Sequence, residues 1–174
     1  MVGIVGPKGP EFGNTADVLF HHPDVREYEL PTLAALRAWC CVHPHDSVLY
    51  AHTKGVSRPI HKKNLMRKVC GKYIVARWRD HIALLDTHDI IGLIHVQSRE
   101  GGWQRNYLRG NFWMAHSDYI ASLQPVGEYA TKFRGSRHRY AAESWPLSGN
   151  QCRPYALYQD SELSRLMESV RDGT

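Results

Sequence analysis

The shortness of the apolar runs does most to limit what this chain can fold into. Val2-Gly3-Ile4-Val5, Ser47-Val48-Leu49-Tyr50-Ala51, the stretch from Asp89 to Val96, Phe112-Trp113-Met114-Ala115 and the stretch from Pro154 to Tyr158 each stop at glycine, proline or polar residues. Runs of that length fit buried strands, and none approaches the roughly 18 apolar residues that a membrane-spanning helix needs. Between them the apolar residues recur at helical spacing. Thr32 can cap a helix carrying Leu33, Ala35, Leu36 and Trp39. Leu65, Val69, Tyr73, Ala76, Ile82 and Leu85 predict one long amphipathic helix over 61–86. A Gly- and Arg-rich loop is expected up to Gly110, then a helix opened by Ser117, a helix from Arg139 to Trp145 stopped by Pro146, and a last helix after Asp160. Strands alternating with helices in this way predict an α/β fold with a mainly parallel sheet flanked by helices.

At 174 residues, 43% of them hydrophobic, the chain has enough length for one ordinary domain with a true core. The start, Met1-Val2-Gly3-Ile4-Val5-Gly6-Pro7, lacks the charged onset and apolar stretch of a secretory signal, so a cytoplasmic location is expected. Cys40, Cys41, Cys70 and Cys152 lie among apolar residues with no C-x-x-C pair, and are expected to be buried free thiols. The net charge of +5 points to an anionic partner without saying which.

Three segments carry the polar chemistry. In the first, an apolar run ends in His52-Thr53-Lys54-Gly55. A strand end of this kind lies where open α/β sheets bind ligands, and Lys54 can meet a diphosphate as a point charge. A solvated turn is the plainer alternative. The second is Gly110-Asn111-Phe112-Trp113. Aromatic faces pack on the C–H face of a sugar while an amide bonds its hydroxyls, yet the same rings can be strand core. In the third, Glu143 can take a proton from an acceptor hydroxyl, with Arg139 orienting it. The two also stand at the spacing of an ordinary helical ion pair.

Eleven histidines invite a metal reading, but there is no H-E-x-x-H, and no metal site is expected. His61, Lys62, Lys63, Arg67, Lys68 and Lys72 form a basic helical face whose ordinary reading is a solvated surface. A basic nucleic-acid-binding domain is the third alternative for function. It ranks last because the aromatics do not interleave with the basic run, and no nucleic-acid partner is expected.

In order along the chain, Glu29-Leu30-Pro31-Thr32-Leu33, Leu49-Tyr50-Ala51-His52-Thr53-Lys54-Gly55, Gly110-Asn111-Phe112-Trp113-Met114-Ala115 with Tyr119-Ile120, and Arg139-Tyr140-Ala141-Ala142-Glu143-Ser144-Trp145 follow one another. This series resembles a GT-A-type glycosyltransferase family of bacterial polysaccharide gene sets and large DNA viruses. That family carries His-Thr-Lys-Gly, Gly-Asn-Phe-Trp-Trp-Ala and Arg…Glu-x-Trp motifs. The resemblance covers about residues 2–158 and implies a GT-A-like, Rossmann-type sheet. It implies a single domain over 1–174: a nucleotide-sugar half over 2–100, an acceptor half over 101–158 and a C-terminal helix over 159–174. The first strand-helix unit of the family has no counterpart here, so a chain truncated at that end, completed by another chain or acting as a non-catalytic binding or assembly module, is the second alternative.

The likeness further implies transfer of a sugar from a UDP- or GDP-sugar to a glycan hydroxyl. His52, Thr53, Lys54 and Gly55 would hold the donor. Gly110, Asn111, Phe112, Trp113 and Trp145 would shape the sugar and acceptor site, with Glu143 and Arg139 catalytic. No Asp-x-Asp occurs in the sequence, so Lys54 would neutralise the leaving diphosphate in place of a divalent metal. Met114 replaces the second tryptophan of the family motif, and Pro146 follows Trp145 where the family has an aliphatic residue.

Overall fold

A computed structural model describes residues 2–5, 18–52, 61–100, 103–133 and 139–171. The chain forms a mixed α/β fold that divides into two compact units, each made of two separate stretches: 1–46 with 117–149, and 47–116 with 150–174. These units cut across the sequential halves over 2–100 and 101–158.

In the first unit, β1 (Val2–Val5) pairs in parallel with β2 (Val18–His22), and α1 (Leu30–Val42) lies against β1. Helix α1 begins earlier than Thr32 suggests, because Pro31 occupies the first turn, where its missing N–H costs nothing. Its buried Leu30, Leu33 and Cys40 share this unit's core with Ile120 of α4 (Ser117–Ser122), Val126 and Ala130 of α5 (Val126–Ala130), and Ala141 and Ala142 of α6 (Arg139–Ser144). Arg37 of α1 donates from Nε to the Leu123 carbonyl at 2.7 Å and from Nη2 to the Ala121 carbonyl at 3.0 Å. A cation thereby satisfies carbonyls that the end of α4 leaves open.

The second unit is built on a four-stranded sheet in the order β3-β7-β4-β8: Ser47–Tyr50, Trp113–His116, Ile90–Gly92 and Pro154–Ala156. β7 runs antiparallel to both neighbours and only β4 and β8 are parallel, so the sheet is mixed rather than mainly parallel. The reason is physical. Apolar runs of three or four residues look the same whichever way the strand points, so the sequence carries no mark of direction. Asp89 fixes the β4–β8 register. Its backbone N–H donates to the Arg153 carbonyl at 3.1 Å, and its carboxylate accepts from the Arg153 N–H at 2.8 Å and pairs with the guanidinium at 3.0 Å.

Two further expectations change. The long helix over 61–86 is broken into α2 (His61–Cys70), a π-type turn at Gly71–Val75, α3 (Trp78–His81) and a 3-10 turn at Ile82–Asp86. The Gly- and Arg-rich stretch is an antiparallel pair, β5 (His95–Glu100) and β6 (Trp103–Leu108), flanking Gly101-Gly102. Val69, Cys70, Ile74, Leu85, Ile91, Leu93, Phe112, Met114 and Leu166 of α7 (Leu163–Arg171) form this unit's core. Cys41 is exposed, contrary to a set of buried thiols, because α1 turns its neighbour Cys40 inward instead.

Candidate functional site

In β3 the side chains alternate, with Val48 and Tyr50 inward and Leu49 outward. Tyr50 sits opposite Trp113 in the register and stacks on it, ring centroids 4.9 Å apart. The chain leaves the strand at Ala51. His52 then turns back, its ring tilted against Phe112 at 5.3 Å and its Nε2 3.0 Å from the Gly110 carbonyl. A carbonyl only accepts, so Nε2 carries the proton in this bond.

The turn receiving His52 is itself unusual backbone. Gly110 and Asn111 both have positive φ, +88° and +55°, and the Asn111 N–H closes onto the Leu108 carbonyl at 3.0 Å. Glycine enters this region without cost and asparagine tolerates it. A Cβ on Gly110 would stand 2.6 Å from the Sγ of Cys70, so α2 presses directly on the turn. The Asn111 side chain is buried, and its Oδ1 accepts from Trp113 Nε1 at 3.2 Å.

The structure therefore brings His52 together with Gly110, Asn111, Phe112 and Trp113, two segments more than 50 residues apart in the chain. Phe112, just before β7, and Trp113, its first residue, are buried core, with Trp113 fully so, and offer no ring face to solvent. Thr53, Lys54 and Gly55 lie outside the described residues. The remaining residues belong to the first unit. Glu143 is half-buried on α6, the helix that Arg139 opens, and Trp145 is fully buried with Nε1 donating to the Gln124 carbonyl at 2.8 Å.

Sequence reasoning passes over Tyr50 and Cys70, which hold the His52 end and the Gly110 turn in place. Alternation with Val48 is the signal that marks Tyr50 as inward; nothing local marks Cys70. Two further histidines are tied to backbone: His81 Nε2 donates to the Tyr73 carbonyl at 2.9 Å, and His116 Nε2 to the Leu85 carbonyl at 3.1 Å. Among the described residues no group of His, Cys, Asp or Glu gathers as metal ligands, and no helix is long and apolar enough to cross a membrane.

Elsewhere, burial pushes the Cys40 thiol up to about 11, with the nearby Cys41, Asp118 and Asp46 adding to the effect. Burial would also raise the Asp89 carboxyl, but the hydrogen bonds from the Arg153 side chain and N–H outweigh it and hold the group below the usual range.

Residues 11–137 match the family described as a domain of unknown function (DUF8361). No curated protein and no solved structure matches the chain.

Proposed function

We propose a sugar-transferring function for this chain, which belongs to the DUF8361 family. The reading is a GT-A-like domain that takes a UDP- or GDP-sugar and passes the sugar to a glycan hydroxyl, with Glu143 as base. Its main support is the meeting of His52 with the Gly110–Trp113 turn, since the motif resemblance assigns the first segment to the donor and the second to the sugar and acceptor site.

The burial of Asn111, Phe112 and Trp113 refines their roles. They position rather than touch: Trp113 and Asn111 fix the turn, and the turn's carbonyl sets the ring of His52. Direct contact with the diphosphate then falls to His52 and to Thr53 and Lys54 beyond it. Lys54 supplies positive charge where the β-phosphate becomes the leaving group, the place at which electrostatic stabilisation counts most.

A panel of UDP- and GDP-sugars titrated calorimetrically against wild type and Lys54→Ala tests the reading. At least one donor should bind wild type and bind Lys54→Ala tenfold or more weakly, the usual size of a lost charge-assisted hydrogen bond of about 1.5–3 kcal/mol. Silence from every donor overturns it. A second reading, a non-catalytic binding or assembly module, is favoured by the closed packing of Trp113 and Trp145. Donor binding without any sugar release would select it.

A further inference from the structure

Charge is distributed very unevenly along this chain. The 33 residues from Ser47 to Arg79 hold nine of the 22 lysines and arginines and none of the 17 acids. The rest of the chain therefore carries 13 cations against 17 anions, so the whole positive excess comes from this one stretch.

After strand β3, the described part of that stretch, 61–79, is largely helical, and its apolar side is already committed. Val69 and Cys70 of α2 and Ile74 of the π-type turn are buried, with Met66 and Tyr73 packed on the same core. That leaves the cations outward. Lys68 and Arg79 are exposed, and Arg67 and Lys72 half-buried. Asp80 is the first acid that the stretch meets, and it pairs with Arg77 at 2.9 Å.

The rings here are also committed. The Tyr73 hydroxyl is 2.8 Å from Ser169 Oγ and its ring meets Tyr158 edge-on; Tyr50 stacks on Trp113; the Arg79 guanidinium lies 4.5 Å over Trp78. Single-stranded nucleic acid is held by bases stacking on open aromatic faces, and this surface presents none among its described residues. What it presents is a set of cations on flexible stems, and the apolar residues of α2 and the turn after it, among the described ones, face the core instead. That arrangement suits a plane of anionic headgroups, where each lysine or arginine adds an increment and no geometry has to be read.

We propose that the exposed side of α2 and the turn after it, with Arg67, Lys68, Lys72 and Arg79, docks the protein on an anionic lipid surface. Contact is electrostatic and peripheral. It is independent of the sugar-transfer reading and uses none of the residues assigned to the donor.

Co-sedimentation tests it with vesicles of pure phosphatidylcholine and of three parts phosphatidylcholine to one part phosphatidylglycerol. Wild type should bind the anionic vesicles only, and release at high salt. Arg67→Gln/Lys68→Gln/Lys72→Gln should bind about a hundredfold more weakly, at roughly fivefold per cation near the surface. Lys68→Glu changes one exposed position, which safeguards the test against a folding defect in the triple variant, and should cost about twenty-fivefold by the same increment taken twice. Arg26→Gln/Arg165→Gln, outside the stretch, should bind as wild type does. Equal binding to neutral vesicles, no binding to either kind, or unchanged binding by Lys68→Glu overturns the proposal. So does a duplex oligonucleotide that strips the protein from vesicles at matched phosphate, since the partner would then be nucleic acid.

Discussion

Alanine at position 110 probes the joint between α2 and the turn that receives His52. Gly110 has φ +88°, where a non-glycine residue costs about 1–2 kcal/mol. The added Cβ would also stand 2.6 Å from Cys70 Sγ, inside any real contact distance. Cys70 is fully buried, so its sulfur cannot swing into solvent, and overpacking of this kind typically adds about 1–3 kcal/mol. The sum is about 2–5 kcal/mol, which for a chain of this length lowers Tm by about 5–15 °C. Cys70→Ala removes the sulfur at a cost of about 1 kcal/mol for the small void. In Gly110→Ala/Cys70→Ala the steric part should vanish while the backbone part stays. Chemical denaturation of the four proteins should then return a favourable coupling of about 1–2 kcal/mol. Gly110→Ala as stable as wild type, or four proteins that add without coupling, refutes the reasoning.

The other perturbations are simpler. His52→Ala removes a half-buried ring and its bond to the Gly110 carbonyl, so it should destabilise by about 1–2 kcal/mol in urea unfolding. Asp89 has a folded pKa held below its unfolded one, so it contributes stability above the unfolded value near 4 that is lost as pH falls through the folded value. Asp89→Asn should therefore be less stable at pH 7, and stability measured from pH 5 down to pH 2 should decline less steeply than in wild type. At pH 8 a thiol reagent should label exposed Cys41 quickly and leave Cys40, buried and pushed up to about 11, untouched until unfolding. The fast phase should disappear in Cys41→Ser.

What the sequence made legible depends on whether a feature is local. Strand β3 and its polar end are written in one short apolar run and the polar residues that stop it. The helix over α1 shows in Leu33, Leu36 and Trp39, and only its start shifts, through Pro31. The β5–β6 pair is missed because its residues are largely polar on both faces, so alternation is faint; Gly101-Gly102 between the two stretches is the hairpin signal that remains. The single helix over 61–86 fails for the opposite reason. Its pieces all turn one side to the same core, so the apolar period persists across the breaks after Cys70 and before Trp78. Strand direction in the β3-β7-β4-β8 sheet and the contact of Cys70 with Gly110 come from distant parts of the chain, and no local pattern encodes them. Nor does the Gly110–Trp113 segment reveal that its aromatics face inward, since a buried strand and a sugar platform use the same residues.

The most direct measurement is release of UDP or GDP from donor sugars over time by wild type and Glu143→Gln, alongside donor affinity for both. Wild type should release nucleotide above the enzyme-free rate. Glu143→Gln should be slower by about 10²- to 10⁴-fold with donor affinity unchanged, as loss of a general base requires. Release no faster than the enzyme-free rate for every donor, or a Glu143→Gln protein as fast as wild type, contradicts the account.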